Sequence, residues 1–531
     1  MWFRQVFSIV TFNIDVFEKD ERSEQLLETI LDRLELTEKE YGSRPAVDDG
    51  SVCLTYKELA SKARGIGGAL STQISKGEPV AILAEKSTAT LWCMYGVVYA
   101  GGFYVSVNPE QPPERIRKIL DVLESKIVVV DQARREQLTA SGYTGKVLYL
   151  EDLYSGADEM SEEAAARLAA IRPQIKGEDP LYGVFTSGST GNPKGIIVGH
   201  KSVLDFIGHF TQIFGITCED IMGNQAPFDF DVSVKDLYSC MFTGAEVVLI
   251  PREFFSTPPR LLDYLCDKNV TVLVWAVSAL CIVSGLKGLR YRVPEKVRII
   301  MFSGEVMPIK HLQIWQDALP NAEYVNLYGP SEITCNCTYY RIERKFEKTE
   351  KLPIGGAFPG RTVFLMDDEG KIVTEPGVSG EICCAGESLA ICYYNNPEQT
   401  AKQFIMYDLD GREQRVYKTG DLAAYGTDGE LYFAGRGDFQ IKHMGHRIEL
   451  EEIETNFMAL DGVARAVCLF DEKKNRIVCW YMGDIEPREV RIRLKEKVPA
   501  YMVPGRINQV EDMPYNKNGK IDRAYFRSLL A

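Results

Sequence analysis

The sequence predicts an α/β protein built of layered, largely parallel sheets around more than one hydrophobic core. Short apolar runs of strand type alternate with helix-type segments through the first half of the chain, the pattern of sheets covered by helices. A length of 531 residues is more than one core fills. With 45% hydrophobic and 26% charged residues, the composition is that of a globular protein in water.

Taken in order, residues 1–25 begin with the apolar Met1-Trp-Phe-Arg-Gln-Val-Phe-Ser-Ile-Val10. Asp15, Glu18, Lys19 and Asp20 follow closely with no small-residue cleavage site, so the stretch is a poor signal peptide. Leu54–Leu70 carries apolar residues at helical spacing behind a threonine, which predicts a capped amphipathic helix. Val80–Leu83 reads as a buried strand, Leu91–Ala100 as a helix and Phe103–Val107 as the next strand. Asn108-Pro-Glu-Gln-Pro-Pro-Glu-Arg115 punctuates the pattern, and Ile127–Val130 resumes it. The uncharged runs Leu91–Val107 and Val270–Leu286 approach the length of a membrane span, yet both contain Gly or Ser and end in polar turns. Buried core is expected there, and no membrane partner. Glu151–Ala170, acidic and rich in alanine, predicts one exposed helix leading to the loop that follows.

That loop is Tyr182-Gly-Val-Phe-Thr-Ser-Gly-Ser-Thr-Gly-Asn-Pro-Lys-Gly195, where an apolar lead-in runs into glycines and hydroxyl residues closed by a lysine. Many backbone N–H groups with few side chains in the way suit phosphate. It is not a Walker A loop, because Lys194 lies between Pro193 and Gly195 and no Gly-Lys-Ser/Thr is present. Gly-Glu-Ser-Leu-Ala390 is a near miss to a hydrolase nucleophile elbow, without its last glycine.

Composition excludes other classes. A net charge of −14 argues against general nucleic-acid binding. The 13 cysteines are odd in number and hold no Cys-x-x-Cys pair, which predicts a reduced, cytoplasmic protein. Five histidines show no zinc spacing.

The loop resembles the signature of adenylate-forming enzymes, the superfamily of acyl-CoA synthetases, luciferases and amino-acid adenylation domains, and further matching segments recur from about Leu54 to Arg523. The resemblance implies the acyl-adenylate ligase fold: a large layered α/β domain over residues 26–437, a small mobile α+β lid over 438–531, and an extension of unread role over 1–25. Thr186, Ser187, Gly188, Ser189, Thr190, Gly191 and Lys194 would hold the ATP phosphates, with Thr190 and Lys194 aiding catalysis. In Asn326-Leu-Tyr-Gly-Pro-Ser-Glu332, Asn326, Tyr328, Gly329 and Ser331 would meet the nucleotide and Glu332 would hold Mg²⁺, a cation that prefers carboxylate oxygen. Asp421 of Tyr417-Lys-Thr-Gly-Asp421 would take the ribose diol, with Arg436 beside it. Asp438 would be the hinge and Lys520, in Asn518-Gly-Lys-Ile-Asp-Arg523, the catalytic lysine.

Phe228-Asp-Phe-Asp-Val-Ser-Val-Lys-Asp-Leu-Tyr238 resembles the segment whose aspartate holds a substrate amino group, and counting back from Thr243-Gly-Ala245 selects Asp231 over Asp229. Alignment by motif then lays Asp231, Val232, Lys235, Val274, Met301, Ser303, Gly304, Leu327, Cys335 and Asn336 along the substrate pocket. Met444-Gly445, where many relatives have Arg-Gly, and the Leu-Glu-Glu-Ile-Glu454 run are similar to D-alanine:carrier-protein ligases. The implied function is ATP-dependent activation of an amino acid, with transfer to a phosphopantetheinyl carrier protein in trans; the alternatives are an acyl-CoA ligase for a small carboxylic acid and a non-catalytic nucleotide-binding regulator. The mixed pocket leans to a small amino acid such as alanine, serine or D-alanine. Lys235 raises an acidic one if its ammonium faces the pocket, and raises nothing if its stem carries the charge out to water.

Overall fold

Runs rich in Val, Ile and Leu form the centres of two sheets in the computed structural model, which describes residues 27–157, 160–188, 192–437, 439–514 and 521–530. In the first sheet, Glu323–Tyr328, Ile299–Ser303, Val272–Ala276, Ile221–Asn224, Glu246–Leu249 and Pro45–Asp48 are parallel, in that order. Antiparallel strands Thr338–Arg341 and Cys53–Thr55 flank them. In the second, Pro180–Thr186, Phe103–Ser106, Pro79–Leu83, Ile127–Val130 and Lys146–Tyr149 are parallel, and Lys194–Gly199 returns antiparallel to Pro180–Thr186.

Helices Tyr56–Leu70, Thr88–Tyr99, His200–Ile213 and Val232–Thr243 share one core with the facing sides of both sheets. Sandwiched in this way, Thr88–Tyr99 is buried on nearly every side, which is why its sequence is apolar all round instead of amphipathic. Leu91–Val107 and Val270–Leu286 each resolve into a core helix and a core strand. Among the described residues no helix is long and apolar enough to cross a membrane. Thr55 caps Tyr56–Leu70 reciprocally with Glu58, as the threonine there predicts.

One expected element is different. Glu151–Ala170 is not one exposed helix; it falls within two helices, Leu150–Ser155 and Glu162–Ile171, because the first stops at Gly156 and Ser161 caps the second. Ala164 and Leu168 are buried, so the second helix is anchored to the core. The elbow-like Ser388 follows a strand with no helix behind it, is fully buried, and gives its carbonyl to the Thr334 hydroxyl at 2.6 Å.

An antiparallel sheet built on Arg361–Met366, Ser379–Gly386 and the long Arg412–Tyr425 packs alongside. Beyond it come the hairpin Gln440–His443/His446–Glu449, the helix Leu450–Met458, and a three-stranded sheet of Val463–Asp471, Arg476–Gly483 and Arg506–Gln509. The cores of this last region, from Ile448 to Phe526, share no residue with those before it. At the hairpin tip Met444 and Gly445 both have positive φ, 53° and 80°, as a tight two-residue turn requires. Met444 points outward, 57% exposed.

Candidate active site

Ligand sites in open parallel sheets lie beyond the carboxyl ends of the strands. Here the strands of the first sheet alternate their side chains between two cores: Leu273, Trp275, Ile300 and Phe302 face one, while Val274, Met301 and Leu327 face the other, beneath the helix Val232–Thr243. Ser303 and the turn Asn326–Glu332 continue from those strand ends. Gly329 is required in this turn, since a Cβ there would meet the Asn336 Cα at 2.5 Å. Thr334 and Cys335 hold left-handed backbone at φ 54° and 71°, a strained pair of the kind found at binding sites. The Cys335 thiol ties the turn to the carbonyl of Asp231 at 3.2 Å.

Asp231 stands at the start of the helix Val232–Thr243 and is buried. Burial raises its carboxyl, while the Ser331 hydroxyl and the Lys235 charge oppose the rise. The Asp229 carboxyl is hydrogen-bonded by the Asn108 side chain. Lys235, one turn further on, does not reach water: it is 1% exposed, and its ammonium donates to Asn336 Oδ1 at 2.9 Å and Ser303 Oγ at 3.3 Å. Val232, Val274, Met301 and Leu327 are also buried, and space is open at Gly304, whose φ is 95° and where a Cβ would touch nothing within 4 Å.

At the other end lies the phosphate loop, with Thr186 opposite Lys194 in the hairpin register. Gly188 is irreplaceable, because a Cβ would sit 2.1 Å from the Asn192 carbonyl. Its N–H donates to Glu452 Oε2 at 3.1 Å, and Glu452 in turn forms a buried ion pair with Arg115. The Ser187 hydroxyl donates to the Arg447 carbonyl at 2.8 Å and accepts from the Glu449 N–H at 3.0 Å. Lys194 Nζ lies 3.7 Å from Glu449 and 5.4 Å from the centre of the Tyr393 ring. Burial, with Arg447 nearby, pushes Lys194 down to about 8.

Glu332 is fully buried. Arg447 Nη1 donates to its two oxygens at 2.9 and 2.7 Å, and Tyr393 donates at 2.6 Å. Burial alone would raise this carboxyl, but Arg447, Lys194 and the tyrosine hydroxyl overrule it and hold it at about 2.

Between the two ends, Tyr328 donates to Asp421 Oδ2 at 2.6 Å, Arg436 pairs with the other Asp421 oxygen, and Lys442 sits 5.3 Å above the Tyr328 ring. Asn326 donates its amide to the Pro353 carbonyl at 2.7 Å, leaving its oxygen toward other partners. Ser189, Thr190, Gly191, Asp438 and Lys520 lie outside the described residues.

A carboxylate kept ionised in front of a cation, a loop N–H already holding an anion, and the buried Thr186 hydroxyl with no partner all fit Mg²⁺ and nucleotide phosphates. A family model described as AMP-binding enzyme matches residues 34–394, more than half of the chain. The chain belongs to this family. The AMP-binding enzyme is 32% identical over 481 residues to bacitracin synthase 1 of Bacillus licheniformis, covering 89% of this chain and 9% of that protein. It is 30% identical over 480 residues to tyrocidine synthase 1 of Brevibacillus parabrevis, covering 88% and 42%. The chain therefore spans less than half the length of these curated relatives. Among solved structures, the Vibrio cholerae adenylation domain AlmE in complex with glycyl-adenosine-5'-phosphate superposes with a TM-score of 0.80 at 21% identity, covering 96% of this chain and 99% of that one. The artificially fused adenylation-PCP protein NpsA-ThdA of Klebsiella oxytoca gives 0.79 at 22%, covering 91% and 94%. These likenesses establish the adenylation-domain fold.

Sequence reasoning missed Arg115, Tyr393, Glu449 and Glu452 and left Arg447 without a partner. Only the Arg-Ile-Glu-Leu-Glu-Glu run at 447–452 signalled that charges concentrate there.

Proposed function

We propose that this AMP-binding enzyme activates an amino acid as its aminoacyl-adenylate, releasing pyrophosphate, and passes the acyl group to the phosphopantetheine thiol of a carrier protein. The observation that carries this reading is the buried Asp231 carboxylate, placed within the electrostatic reach of Lys235 and supported by Ser331. A carboxylate in that position answers a substrate ammonium, which an ordinary acyl acid lacks.

The chemistry needs no general base, since the substrate carboxylate is already an anion when it attacks the α-phosphorus of ATP and expels pyrophosphate. It needs in-line positioning and cancellation of charge spreading over the phosphates. The Gly188 amide, the Thr186 and Ser187 hydroxyls and Lys194 supply donors for the leaving phosphates. Tyr328, Asp421 and Asn326 orient the nucleoside, and Lys520 acts on the developing charge. Mg²⁺, held through Glu332, would supply further neutralisation of phosphate charge. For Glu332 and Gly188 to take up these roles, Arg447 and Glu452 must first withdraw from them. A lid of residues 438–531 turning about Asp438 accounts for that withdrawal, and returning brings the 440–449 hairpin back for thiol transfer.

The test is pyrophosphate exchange into ATP across the proteinogenic amino acids and D-alanine, followed by mass analysis of loading onto a holo carrier protein and onto CoA. Amino-acid-dependent exchange with loading of the carrier is expected. Exchange driven by simple carboxylic acids, with CoA as the preferred acceptor, contradicts the proposal.

A further inference from the structure

Two buried donors at the side-chain end of the pocket, on Lys235 and Asn336, have room for a further acceptor. Lys235 carries three N–H donors, and among the described residues its ammonium has two hydrogen-bond partners, both neutral: Asn336 Oδ1 at 2.9 Å and Ser303 Oγ at 3.3 Å. The Asn336 amide nitrogen beside it is buried with no partner. Both residues are 1% exposed, so water does not answer these donors from the surface. Two carboxylates lie near on the same helix, and neither is engaged with the ammonium by a hydrogen bond. Asp231 is where the proposed α-ammonium binds, and Asp236 accepts from the Asn224 amide at 2.8 Å through Oδ2 while its buried Oδ1 has no hydrogen-bond partner. Val274, Met301 and Leu327, on the face of the sheet that this helix covers, offer only apolar surface, and a Cβ at Gly304 would meet nothing within 4 Å.

Asp231 and Asp236 attract the ammonium by charge without hydrogen-bonding it, and a buried ammonium gains when an anion with free lone pairs meets its remaining N–H. Alanine, serine or glycine would fill part of the space and leave both the ammonium and the Asn336 amide unanswered. A carboxylate ending a short side chain would accept from both. The spacing agrees: Asp231 and Lys235 are four residues apart, about 6 Å of helical rise, so one helix offers an anion to the α-ammonium and a cation to a side-chain carboxylate of the same small molecule. From this we infer that the substrate of the enzyme is an amino acid with an acidic side chain, of the aspartate or glutamate class, with Lys235 and Asn336 as the residues that select it. The inference rests on the amino-acid reading of Asp231 and turns the balance, which the sequence alone tilts toward a small neutral residue.

The experiment is pyrophosphate exchange by the wild-type chain with aspartate, glutamate, asparagine, glutamine, alanine, D-alanine and serine, repeated for Lys235→Met and Asn336→Leu. AMP binding by calorimetry serves as the check that each variant is folded. The wild type should show a kcat/KM for one of the acids at least about a hundredfold above its own amide and above alanine, as a site built around a polar contact discriminates. Lys235→Met should lower the acid by about a hundredfold or more and lower alanine and serine by about tenfold at most. Asn336→Leu should lower the acid by about tenfold. Alanine or serine exchanged better than either acid by the wild type overturns the inference while leaving amino-acid activation in place, and this comparison decides the matter without either variant. An acid preference that survives Lys235→Met in a folded protein also overturns it. Absence of exchange with every amino acid removes the amino-acid reading, and the inference with it.

Discussion

At the phosphate end of the cleft, Arg447 lies against the Glu332 carboxylate, Glu452 accepts from the Gly188 amide, and Glu449 stands beside Lys194. At the proposed amino-acid end, the hydrogen-bond partners of Lys235 are both neutral and the Asn336 amide nitrogen has none. The protein's own small region thus completes the first set of charges, in positions where a nucleotide's phosphates and a cation would stand. At the second, Asp231 and Asp236 lend Lys235 charge but no hydrogen bond. The same physics acts at both ends, since a buried charge seeks its opposite; one end finds it in a segment that carries Arg447, Glu449 and Glu452, and the other, on the acidic-substrate proposal, meets it in a substrate.

The comparison breaks most severely at Asp231. Asp231→Ala should leave a substrate ammonium buried without a counter-charge, costing about 3–5 kcal/mol or roughly a thousandfold in amino-acid activation; desamino acids, assayed in parallel, should lose far less. Lys520→Ala should cost about 3–4 kcal/mol in the adenylation barrier, with ATP affinity retained. Rates of exchange near wild type would remove that lysine from the mechanism.

The buried pair across the interface comes next. Arg115 and Glu114 are neighbours on the helix Pro113–Leu123, and both reach the small region, Arg115 to the buried Glu452 and Glu114 to the partly exposed Lys497. Arg115→Met strands a carboxylate, and urea unfolding should show a loss of about 3–5 kcal/mol. Lys497→Ala should change stability by less than about 1 kcal/mol.

Glu332 gives the comparison a pH dependence. Its folded value of about 2 lies below the ordinary 4.5, so the stabilisation is present above pH 4.5 and is lost as pH falls toward 2. The shift corresponds to about 3 kcal/mol. The unfolding midpoint of the wild type should exceed that of Glu332→Gln at pH 7, and the gap should have fallen to roughly half or less by pH 3. A gap independent of pH would mean that the carboxylate is not ionised against Arg447.

The strands and the loops between them were legible in the sequence because their signals are local: apolar runs, a threonine cap with Glu58 behind it, glycines where Gly188 and Gly329 face backbone at close range. The break in Glu151–Ala170 was missed because helix-forming composition outweighed the Gly156 stop and the Ser161 cap. The charge partners were out of reach for a different reason. Arg447 meets Glu332 across 115 residues of sequence and Arg115 meets Glu452 across 337, and no periodicity encodes such pairings. For Lys235, burial had to be known before its charge meant anything, since a lysine stem reaches surface or core equally well.

Amino-acid recognition is the claim on which the rest depends, and one pair of rates tests it most directly. Pyrophosphate exchange by the wild-type chain is measured with its best amino acid and with the desamino analogue of that same acid. The account predicts that removing the α-amino group lowers kcat/KM by at least about a hundredfold, because Asp231 is then left buried and unpaired. Equal rates, or a preference for the desamino acid, would contradict it.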